Sequence, residues 1–323
     1  MKKILVTEPI HESGMALLRA REDIEIIELA DIRPETLITA VKGVHAIAVR
    51  GAVLTQDILE QSEDLEIVSR YGVGCDNVAV DYMTKRGLPV AIASGANSTS
   101  VAEHTMMMIL ATARHLLGQG VAIRKGEFRA RGKLIATDLQ GANILIVGFG
   151  RCGRKLAPLA RAFGMNVTVV DIKLDRELAN EMGCRGVEDF RPELPNADFI
   201  SLHVPLDDTT RHMISDAEFT AMKPGAVLIN CARGGIVDET AMIAALDGDR
   251  LAAIGTDVYE QEPPSSDHPL FGRDDVVLTP HSGAASFGSL QAMSEMTAQN
   301  IIDHFDGQLQ KDCIFNTDVI PHL

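Results

Sequence analysis

The sequence predicts an α/β protein of two doubly wound domains, and three observations carry that expectation. Short β-branched runs alternate with segments of helical period along residues 1–93. A glycine turn flanked by two such runs starts the same pattern again at residues 141–171. A long helical segment then returns at 288–305, after the second set of strands has ended. A chain of 323 residues is in any case a prior for about two domains.

In the first part, residues 3–7, 24–28, 46–50, 65–69 and 89–93 read as strands, and 11–21, 34–41, 56–62 and 78–86 as helices. Pro34 suits a helical first turn. Strands separated by helices predict a parallel sheet. Residues 94–100, SGANSTS, are small and polar and read as a domain boundary. A methionine-rich apolar helix is expected over 101–117, with Ser98, Thr99 or Ser100 as its cap. Residues 118–138 carry Arg124, Lys125, Arg129, Arg131 and Lys133 without clear periodicity, and read as a surface arm or an oligomer contact.

Residues 141–171 form a strand–turn–helix–strand unit. The first strand is 143–147, the helix 154–163 and the second strand 167–170. Gly148, Gly150 and Gly153 follow the first strand at G-x-G-x-x-G spacing. In such a unit the first glycine permits the tight turn, the second lets backbone approach a pyrophosphate, and the third lets helix and strand pack closely. Asp171 closes the second strand near the ~20-residue distance expected of the acid that hydrogen-bonds a ribose. An aspartate there repels a 2′-phosphate, so the unit points to NAD as cofactor. Beyond it, strands are expected at 199–203, 226–230, 252–256 and 276–279, with helices at 216–222 and 239–247. The helix at 288–305 is expected to pack back on the first domain and make that domain discontinuous.

Composition narrows the partners. A net charge of −15 argues against nucleic acid, which needs a basic face, and requires local cations for an anionic substrate. Five scattered cysteines without a C-x-x-C pair suggest neither a disulfide framework nor a zinc site, and no metal is expected. No uncharged apolar run approaches the ~20 residues of a membrane span. The apolar run after the two N-terminal lysines is too short for a signal peptide and is interrupted by Glu8. A cytoplasmic location is the expectation.

Three motifs follow strands of the second domain: NCARGG (230–235), DVYEQEP (257–263) and TPHSG (279–283). Ligands of open α/β sheets bind at the carboxyl ends of strands, where Arg233, Glu262 and His281 are expected. Singly, each has a plain structural explanation: a helix-end cation, a solvated loop acid, a strand-ending imidazole. Together they form a set suited to hydride transfer with a hydroxyacid. A guanidinium binds the carboxylate bidentately, an imidazole exchanges the hydroxyl proton, and a carboxylate orients the imidazole.

With those motifs the chain resembles, over nearly its whole length, the D-isomer-specific 2-hydroxyacid dehydrogenase family, and within it the phosphoglycerate dehydrogenase-like branch. The resemblance is carried by GVGCDNV (72–78), NSTSVAEHT (97–105), GFGRCG (148–153), HVPL (203–206), NCARGGIVDE (230–239), DVYEQEPP (257–264) and TPHSGA (279–284). It implies a flavodoxin-like substrate domain of residues 1–97 and 285–323, with a Rossmann NAD-binding domain, 98–284, inserted in it. It implies a homodimer, and NAD-dependent interconversion of an (R)-2-hydroxyacid and its 2-oxoacid. Arg233 would bind substrate, His281 serve as acid/base and Glu262 support the histidine. Gly148, Gly150, Arg151, Cys152, Gly153, Asp171, His203, Val204, Pro205, Cys231, Ala232, Asp257 and Gly283 would line the cofactor. Arg50, Val73, Gly74 and Asn97 would hold substrate, with Arg50 meeting a distal anion.

Three positions depart from the expected pattern: Cys152 for the family's usual isoleucine, Tyr71 for the alanine frequent in the phosphoglycerate branch, and Ser282 for a usual bulky aliphatic. The expected substrate is an anionic small molecule, 3-phosphoglycerate first. Hydroxypyruvate or glyoxylate and a sulfolactate-type acid are the alternatives, and Glu262 disfavours a formate dehydrogenase. An NAD-sensing corepressor-like protein is the alternative of another class, against which the Arg233, Glu262 and His281 set argues.

Overall fold

The computed structural model describes residues 1–322. The chain divides into two units, one of Met1–Asn97 with the segment from Ala285 onward, the other of Ser98–Ala284. In the first unit β1 (Lys2–Val6), β2 (Ile24–Glu28), β3 (Ala46–Val49), β4 (Ile67–Arg70) and β5 (Val90–Ile92) alternate with α1 (Glu12–Arg19), α2 (Pro34–Ala40), α3 (Gln56–Leu59) and α4 (Val80–Lys85). The strands pair in the order β2-β1-β3-β4-β5, all parallel. Alternate residues face opposite layers: Leu5, Ile47, Val49 and Val68 pack with Leu37, Ile58 and Met83, while Ile4, Val6, Ala46 and Ile67 pack with Met15 and Leu18.

The second unit begins with α5 (Ser98–Ala113) and α6 (Leu116–Arg124), then runs β6 (Asn143–Val147), α7 (Arg151–Ala162), β7 (Asn166–Val170), α8 (Arg176–Glu181) and β8 (Arg185–Val187). It continues through β9 (Phe199–Leu202), α9 (Asp216–Ala221), β10 (Ala226–Asn230), α10 (Glu239–Asp247), β11 (Leu251–Thr256) and β12 (Val276–Leu278). The strand order is β12-β11-β10-β9-β6-β7-β8, again all parallel. The chain reverses direction across the sheet between β6 and β9, and ligand crevices form at the carboxyl ends of strands at such a switch point. Phe149, Leu156, Met108 and Ile146 fill one layer, and Leu145, Leu202, Phe219 and Ile254 the other.

Two sequence expectations are corrected, and two elements are added. The helix expected over 101–117 starts earlier, so Ser98, Thr99 and Ser100 lie inside α5 rather than capping it. It stops at Ala113, where His115 takes a left-handed φ of 49°. The stretch after residue 118 is not irregular throughout, because α6 runs to Arg124 despite Gly118 and Gly120, which weaken the helical signal. Residues 172–198, to which the sequence pattern assigns no element, hold α8, capped by Asp175, and β8, a three-residue edge strand too short and polar to stand out. Among the described residues no single helix is long and apolar enough to cross a membrane; α5 and α6 qualify only together and are bent by 58°.

The last helix, α11 (Phe287–Phe305), belongs to the first unit. Gly14 of α1 lets it approach: a Cβ there would lie 2.4 Å from the Ser294 carbonyl oxygen. The Ser294 hydroxyl donates to the His11 carbonyl at 2.7 Å, and Ser69 Oγ donates from β4 to the Thr297 carbonyl at 2.9 Å. The following tail finds its partner far back in sequence, with the Phe315 N–H bonded to the Val90 carbonyl at 2.8 Å and Asn316 Oδ1 accepting from the Val90 N–H at 2.8 Å.

Candidate active site

The glycine turn between β6 and α7 meets each steric demand of its spacing. Gly148 has a φ of +101°, and a Cβ there would lie 2.6 Å from the His203 carbonyl oxygen. A Cβ on Gly153 would lie 2.1 Å from the Gly148 oxygen. Gly150 caps α7 with no side-chain hydrogen bond, and a Cβ there would meet nothing within 4 Å. The first-turn amides of α7 therefore open on unfilled space, a cradle that fits a pyrophosphate. Arg151 and Cys152 supply two of those amides. Asp171 braces the turn, with Oδ2 accepting the Phe149 N–H at 2.8 Å and Oδ1 the Lys173 N–H at 2.9 Å.

The segment of His203, Val204 and Pro205 leaves β9 against the same turn. The His203 N–H donates to the Val147 carbonyl at 2.7 Å, and its Nε2 meets Ser201 Oγ at 2.9 Å. Enclosure of the ring pushes its pKa down to about 4, so it is neutral at pH 7. Its backbone, not a charge, meets the glycine turn.

After β10, Asn230 folds the next loop on itself. Its Oδ1 accepts the Ala232 N–H at 3.1 Å and its Nδ2 donates to the Arg233 carbonyl at 2.9 Å. Arg233 Nη1 donates to the Ala232 carbonyl at 2.7 Å, which limits the sweep of the guanidinium. Gly234 has no room for a side chain, since a Cβ would lie 1.9 Å from the Tyr259 carbonyl oxygen. Cys231 lies against Met108, Sγ to Sδ 3.6 Å, and burial pushes its thiol up to about 12. Burial raises the Cys152 thiol as well. Both stay protonated at neutral pH, so neither is a nucleophile.

The loop after β12 carries His281 in left-handed backbone, φ 51°. Its N–H donates to the Asp257 carbonyl at 2.8 Å, and its Nδ1 lies 2.7 Å from Glu262 Oε2. The His281 side chain is 49% exposed and that of Glu262 37%, so the pair stands at the surface of the unit. Burial favours the protonated Glu262, but the hydrogen bonds from His281 and the Tyr259 N–H, with the charges of His281 and Arg233, outweigh it and hold the carboxyl below its ordinary range. An ionised Glu262 places the imidazole hydrogen on Nδ1 and leaves Nε2 for proton exchange.

Asp257, only 2% exposed, anchors this loop from beneath. Its Oδ1 accepts from Thr279 Oγ1 at 2.5 Å and the Ser282 N–H at 2.7 Å, and its Oδ2 accepts the Gly283 N–H at 2.8 Å. His104 of α5 approaches the same carboxylate at 3.5 Å. Burial opposes ionisation, yet these donors hold the carboxyl down to about 2. Asp257 and Gly283, expected beside the cofactor, are thus bonded to each other. His104, Thr279, Asn230 and Tyr259 support the site without having been singled out, although all four sit within motifs quoted above.

In the first unit, Arg50 follows β3 and donates from Nη1 to the Pro9 carbonyl at 3.3 Å, its guanidinium 5.5 Å from the Tyr71 ring centroid. The next two amides, Gly51 and Ala52, donate to Glu8 Oε2 at 2.6 and 2.8 Å. Val73 and Gly74 lie in the turn after β4, where Gly72 has a φ of 138°. Arg70 holds that turn through Nε to the Gly74 carbonyl at 2.8 Å and through Nη1 to the Tyr71 carbonyl. The Tyr71 hydroxyl donates to the Leu290 carbonyl at 2.7 Å. Asn97 is the last residue before α5.

A glycine cradle at the switch point of an open parallel sheet, with an imidazole–carboxylate pair in the loops after β11 and β12 of the same sheet, defines a dinucleotide-binding α/β protein of the Rossmann class. Residues 106–283 match the family model described as D-isomer specific 2-hydroxyacid dehydrogenase, NAD binding domain. The chain is 37% identical, over 99% of its length, to a D-3-phosphoglycerate dehydrogenase of Methanocaldococcus jannaschii, of which it covers 60%. It is 35% identical to a glyoxylate reductase of Pyrococcus furiosus, with 98% of this chain and 96% of the relative covered. Among solved structures, a D-lactate dehydrogenase of Aquifex aeolicus complexed with NAD and lactic acid matches with a TM-score of 0.87 and 28% identity, over 97% of this chain and 99% of that one. The chain belongs to the D-isomer specific 2-hydroxyacid dehydrogenase family. It spans about three fifths of the length of the phosphoglycerate dehydrogenase it matches.

Proposed function

We propose that this chain is an NAD-dependent dehydrogenase interconverting a small (R)-2-hydroxyacid and its 2-oxoacid, with 3-phosphoglycerate the foremost substrate. The observation that carries this reading is the 2.7 Å contact between His281 Nδ1 and an ionised Glu262, in the same unit as the Gly148–Gly153 cradle. Arg233 binds the substrate carboxylate through its fork and polarises the C2 oxygen. His281 Nε2 takes the hydroxyl proton during oxidation and returns it during reduction. Glu262 stabilises the imidazolium formed in that step. NAD, held at the Gly148–Gly153 cradle, would supply the hydride acceptor for C2. Asp171 would meet the adenosine ribose and disfavour a 2′-phosphate.

Arg50, Val73, Gly74 and Asn97 are assigned to substrate, with Arg50 on a distal anion. A panel of acids bearing phosphate, sulfonate or no distal charge tests this. Arg50→Ala should lower kcat/KM by roughly 10–100-fold for acids with a second anion, the worth of one charge-assisted hydrogen bond. Glyoxylate should lose little, and equal losses across the panel would remove Arg50 from that role. One observation favours a glyoxylate or hydroxypyruvate reductase as the second reading: Glu8 already occupies the Gly51 and Ala52 amides beside Arg50, which places a negative charge where a phosphate would arrive.

We also propose that the protein is a cytoplasmic homodimer with neither nucleic acid nor membrane as partner, in keeping with its charge of −15. Leu116, Leu117, Val121 and Ile123 of α6 are exposed, as are Phe128 and Ile135 just after it. A second copy is the occupant this apolar face suits. Ile123→Glu should convert dimer to monomer in sedimentation velocity, and a monomeric wild type would contradict the assignment.

A further inference from the structure

The loop that carries Glu262 is tied down by a second acid–imidazole pair, which the proton transfer does not use. Glu239 opens α10, and its Oε1 accepts the Glu260 N–H at 2.9 Å. Its Oε2 lies 3.3 Å from His268 Nε2, with the two side chains 17% and 11% exposed. His268 Nδ1 accepts the Leu270 N–H at 3.4 Å, so the ring hydrogen sits on Nε2 and points at Glu239. The N–H just before that of Glu260 belongs to Tyr259 and holds Glu262 Oε1 at 3.0 Å. The Tyr259 ring packs edge-on against His268, centroids 5.7 Å apart. A carboxylate in the first turn of a helix is favourable in itself, but that alone explains neither the bond to the Glu260 N–H nor the His268 partner.

We infer that Glu239 is a positioning residue: braced by His268, it holds the Glu260 N–H and so sets the backbone from which Glu262 grips the Nδ1 side of His281. This rests on the assignment of Glu262 and His281 to proton transfer. The charged groups acting at the His281 ring are Glu262 and, through it, Arg233; Asp257 meets only the His281 N–H, through its backbone carbonyl, and its carboxylate is taken up by His104, Thr279, Ser282 and Gly283. Removing Glu239 leaves all of them in the chain and loosens one contact.

Histidine-selective NMR of the full chain, with the His281 signal assigned by His281→Ala, tests this without turnover. Loosening Glu262 releases the hydrogen it holds on Nδ1, so the His281 ring-nitrogen spectrum in Glu239→Ala should move away from the Nδ1–H tautomer signature of wild type. Glu262→Gln should shift it at least as far. An unmoved spectrum in Glu239→Ala beside a shifted one in Glu262→Gln overturns the inference alone. No shift in either variant also overturns the role given to Glu262. Should Glu239→Ala fail to fold, His268→Phe keeps the ring against Tyr259 while removing the hydrogen aimed at Glu239, and the same shift or its absence decides. In steady-state reduction of a 2-oxoacid, Glu239→Ala should lose about 10-fold in kcat with KM for the acid little changed. Glu239→Gln, which keeps an acceptor for the Glu260 N–H, should recover most of that loss.

Discussion

His281→Ala should lower kcat by about 10²–10⁴-fold, the range for removing a general acid–base group, with NAD affinity nearly unchanged. The selectivity follows from where the imidazole is held. Its Nδ1 is committed to Glu262, and only Nε2 is left to exchange a proton. The cofactor cradle rests instead on the amides that open α7 and on Asp171. Alanine at 281 keeps the N–H that bonds the Asp257 carbonyl, so the loop has its anchor in the variant as well. Glu262 loses the hydrogen bond that helps hold its carboxyl down, and its pKa should climb toward the ordinary range. The pH dependence due to the histidine should vanish with it. Stopped-flow turnover together with NADH titration by fluorescence checks both halves, and an unaltered kcat would remove His281 from the acid–base role.

Arg233→Lys should lower kcat/KM by roughly 10²–10³-fold, the usual cost of losing one preorganised donor to a developing charge. The substitution keeps the positive charge that acts on Glu262, so the loss isolates geometry. A lysine ammonium is a point charge and cannot span both oxygens of a carboxylate as the planar guanidinium does. The fork is restrained by its own loop, through Nη1 to the Ala232 carbonyl and the Asn230 bond to the Arg233 carbonyl. KM for the acid should rise and kcat fall together, because the same donors bind the carboxylate and polarise the C2 oxygen. A lysine variant within about threefold of wild type would mean that charge alone suffices, contrary to the bidentate role.

The parts of the site with a local pattern were legible in the sequence. Gly148, Gly150 and Gly153 announce a turn because each glycine answers a steric demand within a few residues of itself. Asp171 follows at a fixed distance because one helix and one strand must fit between. Arg233, Glu262 and His281 could be singled out because each lies in a loop that follows a segment legible as a strand. What holds them could not be read in this way. Glu239 meets Glu260 and His268, and Asp257 meets His104 and Thr279, across sequence gaps set only by the folded sheet. The anchoring role of Asp257 is hidden for the same reason, since nothing near it in sequence shows that its carboxylate is filled by Thr279, Ser282 and Gly283. Among the elements, α6 was obscured by Gly118 and Gly120, and β8 by its edge position, which leaves a short strand with little need of apolar residues.

The central claim is that this chain moves a hydride between NAD and C2 of a D-configured acid. The most direct measurement is NADH oxidation by the purified chain across a set of 2-oxoacids that includes glyoxylate, hydroxypyruvate and 3-phosphohydroxypyruvate, with chiral analysis of any chiral product. The expected result is NADH consumed with at least one acid and, where C2 becomes a stereocentre, an R product. Tight NAD binding with no NADH consumed or formed for any acid would contradict the claim and favour a dinucleotide sensor on the same fold. An S product would contradict it as well.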